Sequence, residues 1–194
     1  MPVLGSNDGV PGAAGSGGRE HDAASIHTVG HSTHPLATFI GMLEAHRIEI
    51  VVDVRTIPKS RRLPHFNQGA LAPSLRDAGI DYAHLPSLGG LRRPREDSIN
   101  TAWTQQAFRG YADHMQTSEF ERGLSELIAI ARKQPAAILC AEAVPWRCHR
   151  SLIADALVIR GFEVVHILSA TSSRPHQRTR WARVEGLRIT YPAT

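Results

Sequence analysis

The ordered pattern of apolar and polar positions begins at "SIHTVGHSTHP", where Ile26 to Val29 read as a short strand and "GHSTHP" as a turn with Pro35 in a first helical turn. "LATFIGMLEAHR" places Leu36, Phe39, Ile40 and Leu43 on one helical face. "IEIVVDVR" is apolar on both faces, as expected of a strand buried in a parallel sheet. Strand, helix and strand within about 30 residues make a right-handed βαβ unit. A short helix is predicted near Leu71 to Ala78, confined or delayed by Pro73, followed by a third strand in "IDYAHLP". Two helices follow, near Thr101–Met115 and Ser118–Lys133, the second with Phe120, Leu124, Leu127, Ile128 and Ala131 as its stripe. "AAILCAE" is the fourth strand. "RSLIADALVIRG" is a helix stopped by Gly161, and "FEVVHIL" is the fifth strand. The alternation predicts one three-layer α/β domain, a mostly parallel open sheet of Rossmann-like form with helices on both faces.

The two ends of the chain read differently. Residues 1–25, rich in Gly, Ala and Ser, have almost nothing to bury and are expected to be a disordered tail. The domain proper is expected over residues 26–170. Residues 171–194 form a basic extension that ends in an edge strand at Leu187 to Tyr191.

Composition narrows the class. The chain has 194 residues, 42% of them hydrophobic, enough for one real core. Two cysteines cannot make a disulfide framework. Nothing resembles a signal peptide, and no apolar run approaches the roughly 20 residues that span a bilayer, so a cytoplasmic protein with no membrane partner is expected. Net charge is +4, and all basic residues but Lys59 and Lys133 are arginine. That bias reflects either base composition or repeated contact with phosphate and carboxylate, which the guanidinium fork suits. The sequence specifies no cofactor and no oligomeric state.

The reactive residues gather at one edge. Ligands of open α/β sheets bind outside the carboxyl ends of the strands. There the first strand leads into His31 and Ser32, and the second into Asp53, Arg55 and Ser60. The third leads into Gly89, Gly90 and Arg92, and the fourth into Cys140, Glu142, Cys148, His149, Arg150 and Ser151. The opposite connections carry ordinary surface residues. Each member also has a plain structural role. His31 and Ser32 could cap the first helix, Asp53 and Arg55 could pair, Gly89-Gly90 could be a turn, and Cys140 could be a buried small hydrophobe. Cys148 precedes a helix, where free N–H groups, Arg147 and Arg150 favour a thiolate. Cys148 and His149 are adjacent at a helix start and expected to diverge, so no metal site is assigned. No P-loop pattern is present.

"TVGHSTHPLATFIGMLEAHRIEIVVDVRTIPKSRRLPHFN", "YAHLPSLGG", "FRGYADHM" and "LCAEAVPWRCHRSLIADALVIRGFEVVHI" together resemble the DUF488 family of uncharacterised bacterial and archaeal proteins, over about residues 26–168. The resemblance implies a compact α/β domain and no established reaction. Its hallmark positions fall on Gly30-His31-Ser32, Asp53-Val54-Arg55, Pro58, Ser60, Phe66, Leu88-Gly89-Gly90, Cys140, Glu142 and Cys148-His149-Arg150. A looser analogy is to rhodanese-like domains, with their Asp-x-Arg strand end and Cys loop between strand and helix.

Three functions fit these residues. The first is binding of a phosphate-bearing or other anionic ligand, a nucleotide or nucleic acid, with Arg55, Arg92 and Arg150 as anchors, His31 or His149 as general acid or base, and Glu142 orienting one of them. The second is sulfur or thiol chemistry at Cys148 or Cys140. The third is a non-catalytic nucleic-acid module using Arg61, Arg62, Arg92, Arg93, Arg95, Arg180 and Arg183, with Trp181 for stacking.

Overall fold

A computed structural model describes residues 25–193. The glycine-rich tail, apart from Ser25, lies outside the described residues. Five parallel strands, β1 (Ser25–Gly30), β2 (Ile50–Asp53), β3 (Asp81–His84), β4 (Ala136–Cys140) and β5 (Glu163–Ser169), and one antiparallel strand, β6 (Ser172–Pro175), form a sheet in the order β3-β2-β4-β1-β5-β6. The expected mixed α/β architecture is therefore present. All four residues of β2 and all five of β4 are buried, which explains the unbroken apolar runs of the sequence.

Helices cover both faces. α1 (Leu36–Ala45) and α2 (Gln68–Asp77) pack on one, where Phe39, Leu43, Leu71 and Leu75 meet Val29, Val51 and Leu139. α3 (Gln106–His114), α4 (Ser118–Ala131) and α5 (Arg150–Val158) pack on the other, where Phe108, Phe120, Leu124 and Leu152 meet Val52 and Ile138. Each fully buried Leu or Phe contributes about 1.5–3 kcal/mol by leaving water. α2 starts earlier than expected and keeps Pro73 inside it on its exposed side. α4 is capped by Thr117, whose hydroxyl accepts from the Phe120 N–H at 3.2 Å.

The chain leaves β1 and β2 toward the α1/α2 face, and leaves β4 toward α5 on the other. Adjacent strands β1 and β4 thus diverge at their carboxyl ends and open a crevice at the switch point.

The C-terminal segment differs from expectation. The strand near Leu187–Tyr191 exists as β8 (Arg188–Thr190), but it pairs with β7 (Arg183–Glu185) in a separate two-stranded sheet. The edge of the main sheet is β6. The reason is apolar anchoring: Ile189 and Tyr191 are buried in the α3/α4/α5 core, which holds β8 away from β5. No described helix is long and apolar enough to cross a membrane.

Candidate functional site

The crevice separates the reactive residues into two groups, one on each side of the sheet. On the α1/α2 side lies a cleft of about 530 Å³, lined by His31, Ser32, Arg55, Lys59, Ser60, Glu142 and Arg147, among others. On the α3/α5 side, the buried Cys140 and Cys148 cluster with the half-buried His149. Strand alternation produces the division. Ile138 and Cys140 point to one face, Leu139 to the other.

The cleft is built on an ion pair. Arg55 Nε donates to Asp53 Oδ1 at 2.9 Å, and Nη2 donates to Asp53 Oδ2 at 2.5 Å and to the Phe66 carbonyl at 2.9 Å. Tyr82 donates to the same carboxylate at 2.7 Å, and burial, then that charge, pushes the Tyr82 pKa up. Asp53 is fully buried, so these donors, with the Arg55 backbone N–H at 3.0 Å, replace the water it lost. Part of Arg55's charge is therefore committed within the protein.

His31 is likewise engaged. Its Nδ1 lies 2.9 Å from the Ser32 carbonyl, which can only accept, so Nδ1 carries the proton. Nε2 then accepts from Arg55 Nη1 at 3.3 Å. Burial lowers the His31 pKa and the Arg55 charge lowers it further, so the ring is neutral near pH 7. Both nitrogens have partners, which does not fit the acid–base role expected for His31; the ring stacks on Phe66 at 4.2 Å and orients Arg55. Neither His31 nor Ser32 caps α1, whose N-cap is Pro35 without a side-chain bond. Ser32 holds φ 47°, the left-handed region, with its N–H donated to the Ala141 carbonyl at 2.8 Å. That bond joins the β1 and β4 exits.

The turn after β4 forms the partition between the two groups. Pro145–Arg147 make a single 3-10 turn that returns the chain, so that Cys148 lies against Cys140. Cys140 Sγ and Cys148 Sγ lie 3.9 and 3.7 Å from the same atom, His149 Nδ1. The expectation that Cys148 and His149 diverge is thus overturned. Cys148 has an extended backbone (φ −137°) while His149 is already helical (φ −56°), and this change of direction turns both side chains inward. The expected low-pKa thiol is also reversed. The neighbouring Cys148, with His149 and Arg150, holds the Cys140 thiol well below its ordinary range, while Cys148, buried beside that sulfur, is pushed up.

Arg150 bridges the groups. It is almost fully buried and donates from Nη2 to the Ala143 carbonyl at 2.8 Å. Its Nε and Nη1, and His149 Nε2, are buried without a hydrogen-bond partner among the described residues. A Cβ on Gly30 would lie 1.9 Å from the Glu142 carbonyl and 2.7 Å from Arg150 Nη1, so only glycine lets β1 approach this turn.

Four of the expected ligand-binding residues lie elsewhere. Arg92 pairs with Glu119 at 3.0 Å and binds the Gly89 and Ser87 carbonyls, which turns it away from the cleft. Gly89 and Gly90 are close-packing positions: a Cβ would lie 2.3 Å from Thr56 Oγ1 and 2.4 Å from His149 Nδ1, respectively. Ser151 donates to the Cys148 carbonyl at 2.9 Å and lines a different groove. Glu142 is exposed at the cleft and bonds neither histidine among the described residues.

Sequence reasoning passed over a second polar network, on the other side of α5. His176 Nε2–H donates to Asp155 Oδ1 at 2.8 Å, and Tyr191 donates to Asp155 Oδ2 at 2.8 Å. His166 Nε2 meets His176 Nδ1 at 3.0 Å, and Thr28 Oγ1 meets His166 Nδ1 at 2.7 Å. Asp155, an acid inside the apolar stripe "SLIADALV", was the signal.

A doubly wound parallel sheet with polar groups gathered at its switch point defines a doubly wound α/β domain. The family model described as "Domain of unknown function DUF488" matches residues 35–157, and the chain belongs to that family. No curated protein and no solved structure matches it.

Proposed function

We propose that the domain binds a small anionic ligand, phosphate-bearing or carboxylate, in the 530 Å³ cleft at the ends of β1, β2 and β4. The observation that carries this reading is the lining. Arg55, Lys59 and Arg147 and the hydroxyl residues Ser32 and Ser60 face one opening with Glu142 as the acidic member. Asp53 offsets Arg55 and His31 is neutral, so Lys59 and Arg147 supply the attraction. Two free thiols fit a reducing compartment such as the cytoplasm. In the intact protein, inorganic phosphate and nucleoside phosphates are expected to raise Tm, and a Lys59→Ala/Arg147→Ala double variant is expected to lose that rise. No shift with any of them, or an unchanged shift in the double variant, overturns the reading.

A second groove supports a nucleic-acid reading. Trp146 and Trp181 are 59% and 46% exposed, and together with Arg174, Arg178 and Arg180 they line a groove of about 460 Å³. Exposed indole rings beside guanidinium groups suit base stacking and backbone contact. Single-stranded oligonucleotides should quench tryptophan fluorescence, less so at high salt and less in Trp181→Ala; salt-independent or absent quenching removes this reading. Sulfur transfer draws less support. Cys140 is buried and faces Cys148 and His149 on the side of the sheet away from the cleft.

A further inference from the structure

We infer that Cys140, Cys148 and His149 form a binding site for a soft or borderline divalent metal ion, zinc or ferrous iron, with three protein ligands and a fourth position for an exogenous ligand. The inference rests on the geometry of three donor atoms. Two sulfurs converge on one nitrogen, His149 Nδ1, at 3.7 and 3.9 Å, and all three atoms lie within 4.8 Å of one another. Zinc bonds of about 2.3 Å to sulfur and 2.0–2.1 Å to nitrogen, at tetrahedral angles, require sulfur–nitrogen separations of about 3.6 Å and a sulfur–sulfur separation of about 3.8 Å. The observed sulfur–nitrogen distances, 3.7 and 3.9 Å, exceed that by about 0.1 and 0.3 Å. A hydrogen-bonded thiol–imidazole pair needs only one sulfur per nitrogen. Two sulfurs aimed at one nitrogen describe the corners of a common coordination sphere.

The surroundings agree. Two thiolates and one imidazole are a soft donor set, unsuited to magnesium or calcium. Both cysteines are more than nine-tenths buried, and burial shields a metal–thiolate bond from solvent. Gly90 packs on the His149 ring, and Tyr111 lies 4.8 Å from it, so the imidazole is held in place before any ion arrives. Arg150, buried with two unpartnered N–H groups, lies in the field of both sulfurs. It offsets thiolate charge and offers donors to an anionic fourth ligand. Both sulfurs bind as thiolates and any proton still on them passes to solvent, so two thiolates and a dication give a neutral centre.

Cobalt(II) is the probe, added to the full reduced chain. The expected result is a thiolate-to-cobalt charge-transfer band with strong visible absorption of four-coordinate cobalt, saturating at one ion per chain, together with protection of both thiols from alkylation. Zinc should displace the colour. Cys148→Ser and His149→Asn should each abolish the band, while the exposed-surface variant Arg95→Ala keeps it. If Cys148→Ser fails to fold, the protection assay on the unmodified chain still decides. Absence of the band, alkylation of both thiols at the same rate with and without cobalt or zinc, or ready air oxidation to a Cys140–Cys148 disulfide in the presence of zinc would each overturn the proposal.

Discussion

Two buried polar networks hang from α5, and they differ in how completely they satisfy themselves. Around Asp155 every polar group has a partner. Thr28 meets His166, His166 meets His176, and His176 donates to Asp155, which also accepts from Tyr191 and the Thr179 N–H. Around Arg150 the accounting does not close, since two guanidinium N–H groups and His149 Nε2 have no partner among the described residues. A buried network that closes on itself contributes stability and needs nothing else. One that leaves donors over, next to two thiols and a cationic cleft, is where the proposed ligand or ion would find partners. On the proposed readings, the contrast puts structure at Asp155 and chemistry at Arg150.

The largest test is removal of the hub of the closed network. Asp155→Ala strands three donors at once: the His176 ring N–H, the Tyr191 hydroxyl and the Thr179 N–H. At about 1–3 kcal/mol for each buried unsatisfied group, a loss of about 3–5 kcal/mol is expected, measured as a fall in urea midpoint. A loss under about 1 kcal/mol would mean that the network does not anchor the C-terminal segment.

Next in size is the open side's backbone. Gly30→Ala drives a methyl group into the Glu142 carbonyl, and backbone cannot swing aside as a side chain can. A cost of about 2–3 kcal/mol is expected. The phosphate-induced rise in Tm should vanish with it, because the displaced turn carries one wall of the cleft. An unchanged phosphate response would detach the cleft from the β4 turn.

pH sharpens the comparison further. Burial, then the neighbouring His176, Arg150 and Arg174, lower the pKa of His166 to about 3. The unfolded chain binds a proton near pH 6.5, the folded chain only near 3, so the contribution is complete above pH 6.5 and is lost as pH falls through that window. Between pH 6.5 and 5 this amounts to at most about 2 kcal/mol. His27, His31 and His114 shift in the same direction, so the informative quantity is the difference in slope between the unmodified chain and His166→Gln. Equal slopes would show that folding does not lower the His166 pKa.

Much of this was legible in the chain, for reasons that also mark where legibility ends. The unbroken apolar runs of β2 and β4 announced a two-faced parallel sheet, and the reactive residues do collect at its carboxyl edge. Side-chain direction was not legible. A turn of one residue at Cys148, from extended to helical backbone, decides whether the thiol and His149 diverge or converge, and composition carries no record of it. Arg92 looked like an anchor because Glu119, its partner, lies 27 residues away on α4. The C-terminal strand was recognisable by pattern, but its pairing depended on where Tyr191 is buried. Asp155 was visible as an acid in an apolar stripe; its histidine partners come from β5 and the segment after β6, beyond any local pattern.

The smallest expected effect is the most discriminating. Arg150→Met removes a buried cation, one hydrogen bond to the Ala143 carbonyl, and two N–H groups with no partner. The lost bond costs about 1 kcal/mol, and the relief of burying an incompletely satisfied charge offsets it. Net stability should therefore change by about 1 kcal/mol or less, against several for Asp155→Ala on the same helix. The chemistry should move instead. Arg150 is one of the groups that hold the Cys140 thiol low, so without it the rate of Cys140 alkylation near neutral pH should fall. If Arg150→Met unfolds the protein as readily as Asp155→Ala does, Arg150 is a strut like Asp155, and the division of α5 into a structural end and a chemical end fails.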